Sequence, residues 1–319
     1  MPMLLVTGGA GFIGSHTARR ALALGWHVRI LDNRSSNHSS SFIALQKLGA
    51  EILVGDVRDE EITRKAVEGC DAVVHLAAQV SVPHSLEYPE DTMEINVGGT
   101  GNLLQACQNH GVKRFVMASS AAVYGNNDAF PLDEAQAGQF HSPYADSKWQ
   151  NEHQVLEARK AGMEAIALRF FNVYGTGQHS GSVYAAVIPQ FIQLALKGEP
   201  VTVFGNGLQT RDFVHVDDVT QALLMLASEA WKGDLDHVYN VCTETEVSML
   251  ELLENIHSVL MNIAPHIPRR DPIYAPARPG DILRSVGSKA RLVQDTSWRP
   301  AISLEKGLHR QISNYLEGA

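Results

Sequence analysis

Cysteine is scarce in this 319-residue chain: Cys70, Cys107 and Cys242 are far apart and show no metal-ligand spacing. An odd, dispersed set excludes a disulfide framework and suits free thiols in a reducing, cytoplasmic setting. Basic charge is short as well. Lysine and arginine number 26 against 35 acidic residues, for a net charge of -9. A protein that tracks a nucleic-acid backbone needs a basic face, so nucleic acid is excluded as a partner. No apolar run is long enough to cross a bilayer, which excludes a membrane-spanning protein. The apolar stretch Met3-Leu4-Leu5-Val6 is stopped by a glycine turn, so it reads as a strand rather than a signal peptide. The 14 histidines are scattered in no metal constellation. His16 and His75 lie inside apolar segments and read as packing residues, and no metal is expected. Repeats and low-complexity segments are missing too.

What is present is an alternation. Short β-rich runs at 3–7, 27–31, 51–54, 72–76, 114–118 and 165–170 are separated by helical stretches at 13–24, 42–48, 60–68, 98–109 and 145–161. Strands alternating with helices make an α/β fold, a doubly wound parallel sheet of Rossmann-like type. Ligands in such sheets bind beyond the carboxyl ends of the strands. After Gly175 glycine, proline and polar residues thicken, with helical segments at 187–197, 217–228 and 249–261. The chain therefore reads as a cofactor domain over 1–175 and a smaller, mixed, mainly substrate-binding domain over 176–319. A strand near 237–241 is a candidate to return to the first sheet.

Leu4 to Gly14 runs strand, glycine-rich turn, helix start. Glycines at Gly8, Gly11 and Gly14 permit a tight turn and close backbone approach to a pyrophosphate, which the helix N-terminus attracts. The position, at the first strand–helix junction of an alternating chain, gives the pattern its weight. Asp32 lies 18 residues past Gly14, at the end of the second strand. An acid there accepts hydrogen bonds from the ribose and repels a 2′-phosphate, which favours NAD over NADP; Arg34 works slightly against that. The bland alternative for Asp32 is a turn former. Asp56, after the third strand, is either an adenine contact or a solvated turn acid.

Tyr144 and Lys148 are four apart at the start of a helical stretch and share one face. Tyrosine ionises near pH 10, so about one in a thousand is phenolate at neutral pH. A lysine cation one turn away favours the phenolate. The pair reads as a general base that takes an alcohol proton as its carbon loses hydride. Taken alone, the spacing is also that of an ordinary helix face. Ser119 and Ser120 end a strand 24 residues before Tyr144, counted from Ser120. Either hydroxyl could reach a reacting oxygen, or simply cap the strand end.

With these residues assembled, the chain resembles the extended short-chain dehydrogenase/reductases, specifically the NAD-dependent epimerase/dehydratases of nucleotide sugars. The motifs run nearly end to end: Thr7 to His16, Gly55 to Arg58, His75 to Gln79, Asn96 to Thr100, Ser119 to Gly125, Tyr144 to Lys148, Arg169 to Gly175, Arg211 to Asp218 and Arg278 to Asp281. The resemblance implies that Ser120, Tyr144 and Lys148 are catalytic. It implies that NAD is lined by Gly8, Gly11, Phe12, Ile13, Gly14, Asp32, Asn33, Asp56 and Val57. Leu76, Ala77, Ala78, Gln79, Asn96, Ser119, Tyr144, Lys148 and Phe171 would complete that lining. For the substrate it implies Ser81, Ser120, Tyr144 and Asn172, with Thr202 and Phe204 at the uracil. Arg211 and Arg278 would clamp the diphosphate, as suits a bidentate fork. Asp281 precedes Ser285, the position that gates the sugar's C2 side. The family also suggests a homodimer, with the helices at 98–109 and 145–161 paired.

Related dehydratases carry an acid just after the catalytic hydroxyl. Here Ala121 and Ala122 stand there, so dehydration is disfavoured and 4-epimerisation of a UDP-sugar through a 4-keto intermediate is expected. Small Ser285 admits N-acetylated sugars besides UDP-glucose and UDP-galactose. Ala186, where hexose epimerases often have asparagine, is a departure. Alternatives are a UDP-glucuronate 4-epimerase, another nucleotide-sugar reductase or dehydratase of the family, a dTDP- or GDP-sugar enzyme, and a silent dinucleotide sensor.

Overall fold

The computed structural model describes residues 1–35, 39–178, 186–228, 231, 235–277 and 282–317. The chain opens with β1 (Met3–Thr7), α1 (Phe12–Ala23), β2 (His27–Asp32), α2 (Ser39–Lys47), β3 (Glu51–Val54), α3 (Glu60–Val67) and β4 (Ala72–His75). Two short helices, α4 (Val82–Glu87) and α5 (Pro89–Met93), lead through a π-helical turn (Glu94–Gly98) into α6 (Gly99–His110). Then come β5 (Arg114–Ser120), a 3-10 turn (Ala121–Tyr124), α7 (Pro143–Lys160) and β6 (Glu164–Phe170). β5 runs two residues further than its apolar stretch predicts, so Ser119 and Ser120 lie on the strand itself.

The remaining elements are β7 (Asn172–Tyr174), α8 (Val187–Leu196), β8 (Thr202–Phe204), β9 (Thr210–Arg211), β10 (Phe213–His215) and α9 (Val216–Ser228). They continue with β11 (Val238–Val241), β12 (Val247–Ser248), α10 (Met249–Ile263), β13 (Ile273–Ala275), α11 (Ala290–Asp295) and α12 (Leu304–Glu317).

Seven parallel strands form one sheet in the order β3-β2-β1-β4-β5-β6-β11. The inner strands β1, β4, β5 and β6 are covered on both faces, which is why their sequences read as near-continuous apolar runs. Successive residues feed opposite cores. Leu4, Val6, Val74, Val116 and Ile166 face one cluster with Leu223 and Leu226 of α9. Leu5, Val73, Phe115, Met117 and Ala165 face the other with Leu103 of α6 and Val155 of α7. β11 does join the sheet, pairing Val238 with Ala167 and Val241 with Phe170.

The chain beyond residue 175 divides its loyalty. α9 packs against α1 and under the sheet, whereas α8, α10 and α12 build a separate core around Phe191, Leu252, Ile256 and Leu308. The three cysteines are buried and unpaired. Among the described residues no helix is long and apolar enough to cross a membrane.

Candidate active site

β1 and β4 are neighbours whose helices leave toward opposite sides of the sheet order, which makes their carboxyl ends a switch point. The glycine turn fills it. Gly8 has φ +63 and a Cβ there would lie 2.8 Å from the Ala77 nitrogen. A Cβ on Gly14 would overlap the Gly8 carbonyl. α1 begins at Phe12 with no side chain capping it and no acid in its first turn, so its N-terminus is left for an anion. Asp32 ties the turn to β2: one carboxylate oxygen accepts the Ala10 N–H at 3.0 Å and the other the Arg34 N–H at 2.8 Å. The Arg34 guanidinium stacks 4.8 Å over the Phe42 ring. Asp56 accepts a two-pronged bond from Arg58 at 2.9 and 3.0 Å and a third from Asn33 at 3.0 Å. Arg58 thereby holds the Asp56 carboxyl well below the usual range. A turn that only glycine can make, an uncapped helix start and an acid at the end of β2 fit a dinucleotide: Gly8 to Gly14 for the pyrophosphate, Asp32 for the ribose.

The floor beneath is a closed chain of hydrogen bonds. Thr100 donates to the Asn96 carbonyl at 2.6 Å, so its oxygen accepts from His75 Nε2 at 3.0 Å. That puts the proton on Nε2, and His75 Nδ1 accepts from Thr7 at 2.6 Å. Thr7 in turn accepts the Leu76 and Ala77 N–H groups, both at 3.2 Å. Burial pushes the His75 imidazole down to about 3, with the Lys148 charge adding to the effect. Asn96, expected to line the cofactor, is braced within the floor. It accepts from Gln79 N–H at 2.8 Å and donates its two amide hydrogens to the Gln79 carbonyl and to Ser147. The Phe171 ring is buried against Tyr124 at 6.1 Å, in a cluster with Cys242. Val57 is buried below α6, and Leu76, Ala77 and Ala78 stay partly open beyond β4.

The catalytic candidates converge as their spacing predicts. Pro143 at the first helical position and a Ser142 cap start α7 just before Tyr144. Tyr144 lies close enough to Ser120 for that hydroxyl to act on its phenol, and Ser120 also caps the 3-10 turn by accepting the Ala122 N–H at 3.1 Å. Lys148 is 5% exposed, donates to the Ala118 carbonyl at 3.0 Å and sits 6.0 Å over the Tyr144 ring. Burial pushes the Tyr144 phenol up, and the Ser120 hydroxyl pulls it down. Lys148 points at a carbonyl rather than at the phenol oxygen. Burial brings Lys148 itself down to about 8, which Glu152 partly offsets.

The substrate candidates lie on shorter elements. Ser81 caps α4, accepting the His84 N–H at 3.2 Å, and its proton stays available to a ligand. The Asn172 amide donates to the Asp212 carbonyl at 3.3 Å. Thr202 and Phe204 end β8, paired with β13 through Ile273 and Ala275. Arg211 donates to the Ile282 carbonyl at 2.6 Å, which brings the diphosphate candidate beside the segment carrying Ser285. Ser285 is 8% exposed. Arg278 and Asp281 lie outside the described residues.

Two buried residues were given no role by the sequence reading. Glu152 accepts from Ser119 at 2.5 Å and from Arg169 at 2.7 and 2.9 Å. Asp212 accepts from Thr243 N–H, the Thr243 hydroxyl, Glu244 N–H and Gly287 N–H, so one carboxylate gathers two loops behind Arg211. Glu152 had a signal: it stands one further turn along the face of Tyr144 and Lys148. Asp212 had none, because its partners are distant in sequence.

Fold and glycine turn together define a dinucleotide-dependent enzyme. The chain belongs to the NAD dependent epimerase/dehydratase family, whose model matches residues 4–242. It is thus an NAD-dependent enzyme. The UDP-glucose 4-epimerase of Streptomyces lividans is 32% identical over 310 residues, spanning 93% of this chain and 91% of its own. A UDP-N-acetylglucosamine 4-epimerase from Methanobrevibacter ruminantium, solved with UDP-N-acetylmuramic acid, superposes with a TM-score of 0.92 at 32% identity, covering 100% of this chain and 99% of that one. A Thermus thermophilus UDP-glucose 4-epimerase, solved with NAD, gives 0.85 at 33% identity over 99% and 100%.

Proposed function

We propose that the protein inverts C4 of a UDP-sugar through a 4-keto intermediate. The observation that carries this is the pair Ala121–Ala122. They form the turn that Ser120 caps, directly beside the paired Ser120 and Tyr144 side chains, and neither can act as an acid. Inversion needs one proton handled twice at one oxygen, and that is what this site is built to do. NAD, which the glycine turn from Gly8 to Gly14 and Asp32 would hold, would supply the reversible hydride acceptor that C4 needs. Tyr144 takes the C4 hydroxyl proton and later gives it back. Ser120 holds the C4 oxygen throughout. Lys148, fixed by the Ala118 carbonyl, supplies a cation near Tyr144 and a donor toward the ribose.

On the substrate side, small Ser285 leaves room at the sugar's C2 position, so N-acetylated UDP-hexoses are accepted beside UDP-glucose and UDP-galactose. Residues 1–175 with β11 serve mainly the cofactor, and 176–319 mainly the sugar nucleotide. The exposed groove between α6 and α7, lined by Gly101, Gln105, Gln108 and His153, is the surface on which we expect two copies to pair. The three buried free thiols suit a cytoplasmic enzyme.

Incubation of the purified protein with UDP-glucose, UDP-N-acetylglucosamine and UDP-glucuronate, with and without added NAD, tests the proposal. Appearance of C4-inverted sugar without net NADH supports it. No inversion of any of the three sinks it.

A further inference from the structure

α7 is fastened to the end of β5 by three successive turns of one helix face. Tyr144 meets Ser120, Lys148 meets the Ala118 carbonyl, and Glu152 meets Ser119. The first two rungs are the chemistry. The third is 2% exposed and does not reach the cleft. It is instead gripped from behind by Arg169 of β6, whose guanidinium also donates to the Tyr124 hydroxyl at 3.0 Å and to the Glu134 carbonyl at 2.8 Å. Tyr124 continues to Asn240 of β11 at 2.6 Å. One carboxylate thus joins the helix carrying the base to three strands of the sheet.

We propose that Glu152 is a positioning residue of this active site: through Ser119 and Arg169 it sets the register in which α7 presents Tyr144 and Lys148, and it places a carboxylate one helical turn beyond Lys148. The groups around Lys148 support the second half. From α7 they are Tyr144 and Glu152; from β5, the Ala118 carbonyl. His75 of β4 is neutral, and Arg169 of β6 is spent on Glu152. Glu152 is the one carboxylate among them. A bidentate ion pair with both partners below 4% side-chain exposure is costly to bury, and removing one partner strands the other. Such a pair is retained here for where it places the helix and the charge.

This inference rests on the proposed proton transfer at Tyr144, but its test does not need a sugar. The full-length protein is prepared with 13C-labelled lysine, and the Lys148 ε-carbon, assigned with Lys148→Arg, is titrated by NMR. In Glu152→Gln the midpoint should fall by about one pH unit, as expected on losing one nearby charge. The alkaline limb of kcat should move with it. A folded Glu152→Gln protein with an unmoved Lys148 midpoint overturns the proposal. If the single variant does not fold, Glu152→Gln with Arg169→Gln removes both charges and leaves no lone ion. The midpoint should again fall there, and an unchanged value is equally decisive. If no sugar is inverted by the parent protein, the titration still reports on Glu152.

Discussion

The two walls of the cleft hold their functional side chains differently. On the cofactor side they hang from elements of four to eighteen residues: β1, α1, β2, β4, β5 and α7. The substrate candidates Asn172, Thr202, Phe204 and Arg211 hang from β7, β8 and β9, each of two or three residues. A long element is placed by many repeated backbone bonds and a two-sided core. A two-residue strand has few, so single side chains must do the placing. Asp212 binds four donors from two loops, and Glu246 bridges Thr210 to Arg284 at 2.5 and 2.6 Å. On the proposed function, the chemistry, which tolerates little misplacement, falls on the wall of long elements, and the choice of sugar falls on a wall held by a few contacts that substitution can change.

The largest effect should come from Tyr144→Phe. Removing a general acid–base at this position should lower kcat about a thousandfold. NAD affinity, measured by calorimetry, should stay within about twofold, because the glycine turn and Asp32 are untouched. Retained turnover would remove the base from the rigid wall and undo the comparison.

Next is the floor under that wall. Burial holds the His75 imidazole at about 3, against 6.5 for an exposed one. Above pH 6.5 the residue is neutral in both states and the Thr7–His75–Thr100 chain contributes fully. As pH falls toward 3, the unfolded chain takes up a proton that the folded one refuses, so stability is lost over that window. The slope is about 1 kcal/mol per pH unit for one such group. Urea unfolding between pH 7 and pH 4 reads it, and His75→Gln should flatten the profile. Equal slopes in the two proteins would show that the floor is not where the acid sensitivity lies.

A smaller loss should follow Asp212→Asn. An amide turns one acceptor into a donor facing backbone N–H groups, at a cost of about 2 kcal/mol. KM for the UDP-sugar should rise about tenfold in steady-state assays, as Arg211 and the segment before Gly287 loosen, while kcat changes less. A fall in kcat with KM unchanged would mean that Asp212 serves the chemistry instead.

The same contrast decides what could be read from the sequence. The sheet was legible because alternate residues of each strand fill two cores, which leaves apolar runs. The glycine turn, Asp32 and the Tyr144–Lys148 spacing were legible because each is local. The strands at 172–174, 202–204, 210–211, 213–215, 247–248 and 273–275 were not, being too short for a period to show. The terminal helices α11 and α12, and α4 and α5 before the π-helical turn, were also missed. The packing roles of Asn96 and Phe171 were not legible for a subtler reason. A motif marks which residues matter, not whether their side chains face the ligand or the floor beneath it.

The mildest change should be the most selective. Ser285 is almost fully buried, between the Arg211–Ile282 contact on one side and Val286, whose carbonyl accepts from Leu132 at 2.9 Å, on the other. Because the backbone on both sides is tied down, a larger side chain at 285 has to project into the space beside it rather than swing the segment away. Ser285→Tyr should therefore lower kcat/KM for UDP-N-acetylglucosamine about tenfold relative to UDP-glucose, the size of effect that steric discrimination of one small group supports. The Tyr144-dependent step itself should be unaffected, so kcat for UDP-glucose should hold. Competition assays with both sugars in one tube read the ratio directly. An unchanged ratio would place the sugar's C2 side elsewhere on the short-strand wall, and equal losses for both sugars would mean that the substitution disturbed the segment rather than the gate.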